Sequence, residues 1–400
     1  MENNLPPSDP VSASPASPPP PPPFVQAPPP IFAAPVFIQP PKKSRGWKIT
    51  TLVLMILLAL SFSGNVRHFT QGMLRGKGGP PHMSKTRLEE VTIAWAETQS
   101  TDNKIAVIPV EGLIMSEGLG DGNMVSFISD EFKSAANDKD VKAVVLKVNS
   151  PGGEVLASDD IYSTIEKFQK ETHKPVVASM GSLAASGGYY VSAPCRWIVA
   201  NELTITGSIG VIMHGYNYRG LMKKVGVTPQ TYKSGAFKDM LSGEKDLDNL
   251  TPAEKEQMGL EEKMVQDLIN ETYGRFKSVV EKGRLNANKE NQASASKDKG
   301  QALVKDWQKY ADGRVISGKE ALKLGFVDEP GNFETAVKRA KLLAGIPDAN
   351  LIQYEPLFDL SNLLRMFTKT EATTLKVDLG INLPKLQAGH LYFLCPTVLR

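Results

Sequence analysis

The segment VKAVVLKVNSPGGEVLASDDIYSTIEKFQKETHKPVVASM, residues 141–180, decides the fold class. Its first eight residues are an apolar, β-branched run of strand length, and NSPGG at 149–153 closes that run with a turn. Apolar residues then recur at helical spacing over 157–170, and a second strand-like run, PVVASM, follows at 175–180. Strands alternating with helices predict an α/β domain with a covered sheet. Further strands are predicted at 197–200 and 209–213, and another helix at 124–137. Upstream, Val91, Ile93 and Trp95 alternate with Thr92 and Ala94. A turn-like QSTDN and then KIAVIPV follow, so a strand pair is expected to open the domain. Downstream comes a charged helical section over about 251–282. The very polar stretch 286–300 is expected as an exposed loop, within an insertion of about 286–302. Order resumes at 311–325.

The flanks obey different physics. Sixteen of the 29 prolines fall in residues 1–41. Runs such as 18–23 and 28–30 favour an extended, partly polyproline-II tail over residues 1–45. ITTLVLMILLALSF at 49–62 carries no charge. Extended over 46–66, it is long enough to cross about 30 Å of hydrocarbon. Lys42, Lys43, Arg45 and Lys48 flank its N-terminal side, whereas Arg67 alone sits close on the other side, with Arg75 and Lys77 further out. This bias places the N-terminus in the cytoplasm and the rest of this single-pass membrane protein on the extracytoplasmic side. About 45 residues precede the apolar run and no A-x-A pattern follows it, which favours an uncleaved signal anchor. A linker is read at 67–86, the globular domain at 87–345 and a C-terminal extension at 346–400, ending in the apolar HLYFLCPTVLR. The 46 basic and 43 acidic side chains leave a net charge of +3, spread along the chain. No basic stripe suits a nucleic acid. Cys195 and Cys395 stand alone, without the spacing of a zinc site.

The sharpest local chemistry is LAASGGY at 183–189, where the Ser186 hydroxyl is flanked by residues too small to obstruct a substrate. Gly187 and Gly188 can bring backbone N–H groups up to a reacting carbonyl. Close packing at a strand-to-helix junction would explain the same small residues without catalysis. The turn at 149–153 offers Gly153, and next Gly152, as further oxyanion donors, and it lacks the Lys-Ser/Thr pair of a nucleotide-binding loop. A serine nucleophile needs a base. His68, His82, His173 and His390 are poorly placed, and His214 alone could approach the site. A lysine freed of solvent can serve instead. Lys233 and Lys238, in YKSGAFKDM, are both candidates on chemistry alone.

Together these blocks resemble the signal peptide peptidase A (protease IV) family of membrane-bound serine proteases. The matching stretches are IAVIPVEGLI at 105–114, LKVNSPGGEVLASD at 146–159 and KPVVASMGSLAASGGYYVSA at 174–193. They continue with ANELTITGSIGVIM at 200–213, YKSGAFKDMLS at 232–242 and ADGRVISGKEALKLGFVD at 311–328. The resemblance implies a Ser-Lys dyad with Ser186 as nucleophile and Lys238, not Lys233, as base. Ser208 would orient the lysine, and Gly152, Gly153 and Gly187 would form the oxyanion hole. It implies the Clp protease/crotonase-like fold, a repeated ββα spiral whose members assemble as rings or domes of identical subunits. It implies apolar peptides, cleaved signal peptides above all, as substrates, with neither cofactor nor metal. Two rivals remain. A crotonase-type acyl-CoA enzyme would turn over a CoA thioester and leave Ser186 unlabelled by a fluorophosphonate. An inactive membrane scaffold would keep its phenotype in Ser186→Ala and lose it on deletion of residues 1–41.

Overall fold

The computed structural model describes Met55 and residues 88–97, 100–116, 123–294, 296–356 and 391–395. The proline-rich tail, the linker and, apart from Met55, the expected membrane segment lie outside the described residues. Among the described residues no helix is long and apolar enough to cross a membrane. The chain divides into two units, Met1–Met83 and Ser84–Arg400, and the second carries the sheet and the candidate site.

The opening segment forms the centre of the sheet. Strand β3 (Val141–Ser150) lies between β2 (Lys104–Glu111) and β5 (Val176–Ala185), parallel to both. Buried on two faces, it is apolar at consecutive positions, as interior parallel strands are. Val144, Leu146 and Val148 face one cluster, with Ile128 and Phe132 of helix α1 (Met124–Asn137) and Ile161 and Ile165 of α2 (Val155–Thr172). Ala143 and Val145 face the other, with Ile105, Val177 and Val199 and with Ala336 and Ala340 of a later helix. Each buried Val, Leu or Ile contributes about 1.5–3 kcal/mol. Asn123 starts α1 by accepting from the Val125 N–H at 2.9 Å. His173, at φ 57°, ends α2 in the left-handed conformation.

The strand order is β1-β10-β2-β3-β5-β6-β9, with β7 paired to β5 and β8 to β7. These strands are β1 (Leu88–Ala94), β6 (Trp197–Ala200), β7 (Ile205–Gly207), β8 (Val315–Ser317), β9 (Glu329–Pro330) and β10 (Asn350–Pro356). The remaining helices are α3 (Gly187–Ser192), α4 (Arg219–Lys224), α5 (Pro252–Ala293), α6 (Gly318–Leu324) and α7 (Phe333–Ala344). Two short strands, β4 (Gly152–Glu154) and β11 (Tyr392–Leu394), pair antiparallel in a separate sheet. The result is a mixed α/β sheet covered on both faces.

Four expectations change. The opening strands do not pair with each other: β10 lies between them, antiparallel to β1 and parallel to β2. Part of the C-terminal extension therefore belongs to the main sheet. Residues 209–213 are not a strand. Pairing ends at Gly207 because Ser208 turns the chain at φ 51°, and Ile212 keeps a single bridge. Nor is 286–300 a loop throughout, since α5 continues to Ala293. Of its polar residues there Asn291 is buried while Asn286, Lys289, Glu290 and Gln292 are exposed; the helix is anchored just before them, where Arg284 pairs with Asp328, both side chains fully buried, and also donates to the Cys195 carbonyl at 3.0 Å. Polarity in this stretch marks the solvated face of a continuing helix, which composition cannot distinguish from a solvated loop.

Glu131 on α1 is fully buried, and neither carboxylate oxygen has a hydrogen-bond partner among the described residues. Burial pushes its pKa up to about 9 from 4.5. Its protonated form is tolerated better than the charged one, and stability is lost as pH rises from the unfolded value towards 9. Glu131→Gln should therefore raise stability by about 1–3 kcal/mol at pH 7–9. It should also flatten the fall in Tm between pH 5 and 9; thermal melts with parallel pH slopes for the two proteins would refute this.

Candidate active site

The ends of three neighbouring parallel strands deliver the candidate groups. After β3 comes Pro151-Gly152-Gly153, after β5 comes Ser186, and after β7 comes Ser208. The register pairs Ser150 with Ala184 and Ala185 with Gly207, so Ser186 and Ser208 leave adjacent strand ends side by side. The carboxyl ends of parallel strands are where α/β folds gather ligand-binding groups.

Ser186 takes φ 55° and ψ −116°, a conformation rare for a residue with a Cβ. Such a residue costs about 1–3 kcal/mol and persists only where its surroundings hold it. Here the Ser186 N–H donates to the Gly207 carbonyl at 2.8 Å, and its own carbonyl accepts from the Tyr190 N–H at 2.8 Å. The turn is further fixed because α3 is buried along its whole length. Within this frame the Ser186 hydroxyl is buried and has no hydrogen-bond partner among the described residues. An orphaned buried hydroxyl on a strained turn is what a reacting group looks like before its substrate and base arrive.

The three glycines pack closely against one another beside this turn. A Cβ on Gly187 would lie 2.9 Å from the Gly152 Cα and 3.1 Å from the Gly153 nitrogen. A Cβ on Gly152, at φ +100°, would lie 2.5 Å from the Gly187 nitrogen and 1.9 Å from the Phe393 carbonyl oxygen. Bare backbone at 152, 153 and 187 therefore lets N–H groups and a peptide carbonyl crowd into one place. Gly152→Ala should lower kcat/KM on peptide substrates by about 10²-fold or more, comparable to losing one oxyanion donor. Unchanged steady-state rates in that variant would exclude a role for this close approach.

Ser208 is buried, at φ 51°, and its N–H donates to the Arg314 carbonyl at 2.7 Å. The lysines are placed differently. Lys233 is exposed and bound to Asp239 at 2.8 Å and to the Ala236 carbonyl at 3.0 Å. That ammonium, with Lys245 nearby, holds the Asp239 carboxyl below its usual range. Lys238 is also exposed, and its amine has no partner among the described residues. It sits on the segment 214–250, where α4 buries no residue and Tyr216, Leu221, Val225 and Tyr232 are exposed. The structure thus brings Ser186, Ser208 and the three glycines together, and it leaves Lys238 on an arm in solvent. Cys195 and Cys395 are buried and not joined to each other. Burial pushes the Cys195 thiol up to about 12, so it is no competing nucleophile at neutral pH. No cluster of metal-ligating side chains occurs among the described residues.

Comparison with known proteins identifies the family. The model of peptidase family S49 matches residues 168–301, and the Clp protease model matches 105–199. A candidate protease from Synechocystis is 34% identical over 289 residues, which cover 72% of this chain and 91% of that one. The chain belongs to peptidase family S49. A candidate signal peptide peptidase SppA from Enterococcus faecium is 38% identical over 274 residues, covering 66% of this chain and 71% of the relative. A solved membrane-bound stomatin-specific protease in complex with a substrate peptide is 14% identical. It covers 66% of this chain and 97% of that one, with a TM-score of 0.34. The S49 peptidase described here is accordingly a serine protease with a Clp protease-like domain.

Sequence reasoning did not single out the groups packed around the glycine strand of this S49 peptidase. Ile114 and Ile212 flank the glycine strand and the C-terminal strand through single bridges. Tyr190 and Phe276 stand ready as an aromatic pair, their ring centroids 4.9 Å apart. Ile114 lies in a quoted block, but only tertiary pairing distinguishes it from an ordinary core residue.

Proposed function

We propose that this serine protease is a membrane-anchored endopeptidase of the signal peptide peptidase type, acting on apolar peptides through a Ser186-Lys238 dyad. The observation that carries this reading is the Ser186 hydroxyl, buried and without a partner among the described residues, on a strained turn beside three mutually packed glycines. Neutral Lys238 accepts the Ser186 proton as the oxygen adds to the peptide carbonyl. The N–H groups of Gly153 and Gly187 receive the oxyanion. Lys238 then returns the proton to the departing amine, and water hydrolyses the resulting ester with the lysine again as base. Ser208, one strand over, orients the lysine amine.

The exposed position of Lys238 fits an enzyme whose site is completed on assembly. The apolar side chains along 214–250 are surface that a second copy would cover, and closed rings or domes of identical subunits are the symmetric way to cover it. The finer fold reading is a spiral of ββα units, of which β3, β4 and α2 are one. The apolar segment 46–66 would hold the protease domain at the extracytoplasmic face of the bilayer, where cleaved signal peptides remain. Peptide mapping after treatment with a fluorophosphonate tests the core of this reading. Label is expected on Ser186 alone, and label elsewhere or none would overturn it.

A further inference from the structure

Between Pro252 and Arg275 the one buried residue of α5 is a carboxylate, Glu261. Glutamate is rarely buried without a cationic partner. Lys245 supplies that partner, its amine 2.7 Å from one Glu261 oxygen and 3.7 Å from the Asp239 carboxylate. One turn earlier on the same face of the helix, Gln257 donates to Glu261 at 3.2 Å and to the Ala236 carbonyl at 2.6 Å. The face of α5 that carries Gln257 and Glu261 is therefore covered by the segment that bears Lys238.

Ala236 and Asp239 bracket Lys238, and both are held twice. The Ala236 carbonyl accepts from Gln257 and, at 3.0 Å, from Lys233. The Asp239 carboxylate is shared by Lys233 and Lys245. Between and beyond the brackets the backbone is wound into turns. The Lys238 N–H donates to the Gly235 carbonyl at 3.2 Å, the Met240 N–H to Phe237 at 3.0 Å and the Ser242 N–H to Asp239 at 3.1 Å. The start of the arm is tied to its end, since the Asn217 amide donates to the Lys245 carbonyl and the Tyr218 N–H to the Gly243 carbonyl, both at 2.9 Å. At its far end α5 is anchored in the core by Phe276, Val279 and Val280 and by the Arg284–Asp328 pair. An unbroken chain of contacts thus runs from the core, along α5, through Gln257 and Glu261, to the turn that carries the lysine.

The charges of this clamp close on themselves. Glu261 and Asp239 balance Lys245 and Lys233, so the carboxylate next to Lys238 in sequence is already taken. Lys233 is the exposed outer member, and Gln257 and Lys245 hold the same two brackets without it. We propose that Gln257, Glu261 and Lys245 are positioning residues that fix the turn 235–239 on α5 and so aim the Lys238 amine at the Ser186 hydroxyl. The inference rests on the Ser186-Lys238 dyad and applies whether the lysine serves the serine of its own chain or of a second copy. Proton transfer needs the two atoms within hydrogen-bond reach, and a displacement of about 1 Å can cost about 10²-fold.

The test measures kcat and KM of full-length Glu261→Ala, Lys245→Met and the double variant on a fluorogenic peptide. Each single change is expected to lower kcat by about 10–100-fold with KM within about twofold. The double variant should lose no more than either single one, because both remove the same contact. Glu261→Ala is then placed in a Lys238→Ala chain, where it should cause no further loss, since the clamp acts through the lysine alone. A purely architectural role would lower the residual activity of that chain as well. Wild-type kcat in Glu261→Ala, or losses that add in the Lys238→Ala chain, overturn the clamp and leave the dyad standing. Near wild-type kcat in Lys238→Ala overturns the base assignment and this inference with it. Should Glu261→Ala lose its cooperative melt, Glu261→Gln and Gln257→Ala weaken the same clamp more gently and are read in the same way, with a smaller fall in kcat expected and an unchanged kcat in both overturning the proposal.

Discussion

Ser186→Ala is expected to abolish peptide cleavage, lowering kcat by about 10⁴-fold or more, and to leave Tm unchanged or slightly raised. On the proposed mechanism the loss follows from removing the nucleophilic oxygen, as in other serine proteases stripped of theirs. The unchanged Tm follows from geometry. The Ser186 hydroxyl is buried and makes no hydrogen bond among the described residues, so its deletion strands no partner, and a buried unpaired hydroxyl is itself a cost. Alanine keeps a Cβ and inherits the same φ of 55°, so the strain of the turn is common to both proteins. A serine that served only close packing would give the reverse pattern, with activity kept and stability altered. Initial rates on a fluorogenic peptide together with calorimetry separate the two cases. Activity above about a hundredth of wild type would overturn the assignment.

The parts of this architecture that are local in sequence were legible there. Residues 141–180 gave a strand, turn, helix and strand because burial on two faces requires consecutive apolar positions in β3, while α2 needs only one apolar stripe. The Ser186 turn was legible because a strained conformation under tight packing demands small neighbours, and AASGG supplies them. What was not legible depends on pairing across the chain. The partner of β1 lies more than 250 residues away in β10, and no periodicity in either strand names the other. The tail HLYFLC reads only as apolar, since its register against Gly152–Glu154 is set by backbone hydrogen bonds that any side chains could accompany. Polar residues 286–293 misled for a related reason. On a helix whose face carries the buried Arg284–Asp328 pair they extend a structural element, and the charge of the partner is invisible until α5 meets Asp328, the residue before β9.

The lysines show the same division between local and long-range information, and they give the second large effect. Lys238→Ala should reduce kcat by about 10³-fold, within the usual range for a general base, and Lys233→Ala should change it by no more than a few-fold. Chemistry in one dimension did not separate the two residues. In the folded chain Lys233 is committed to Asp239, an exposed pair worth about 0.2–1 kcal/mol, whereas Lys238 has no partner to lose among the described residues. A base needs an amine able to reach the serine hydroxyl, and the Lys233 amine is already engaged by the Asp239 carboxylate and the Ala236 carbonyl. Lys238→Arg distinguishes a base from a mere positive charge. Arginine preserves the charge and reach but cannot be deprotonated in this range, so a base is not rescued and an electrostatic anchor is. The exposed setting of Lys238 adds a concentration dependence. If a neighbouring copy seats the arm 214–250, specific activity should fall on dilution below the assembly threshold. Mixing Ser186→Ala chains with Lys238→Ala chains should then restore part of the activity that each lacks alone, because one copy's lysine can serve the other's serine. Strict linearity of rate with enzyme concentration, together with no recovery in the mixture, would place both members of the dyad within a single chain.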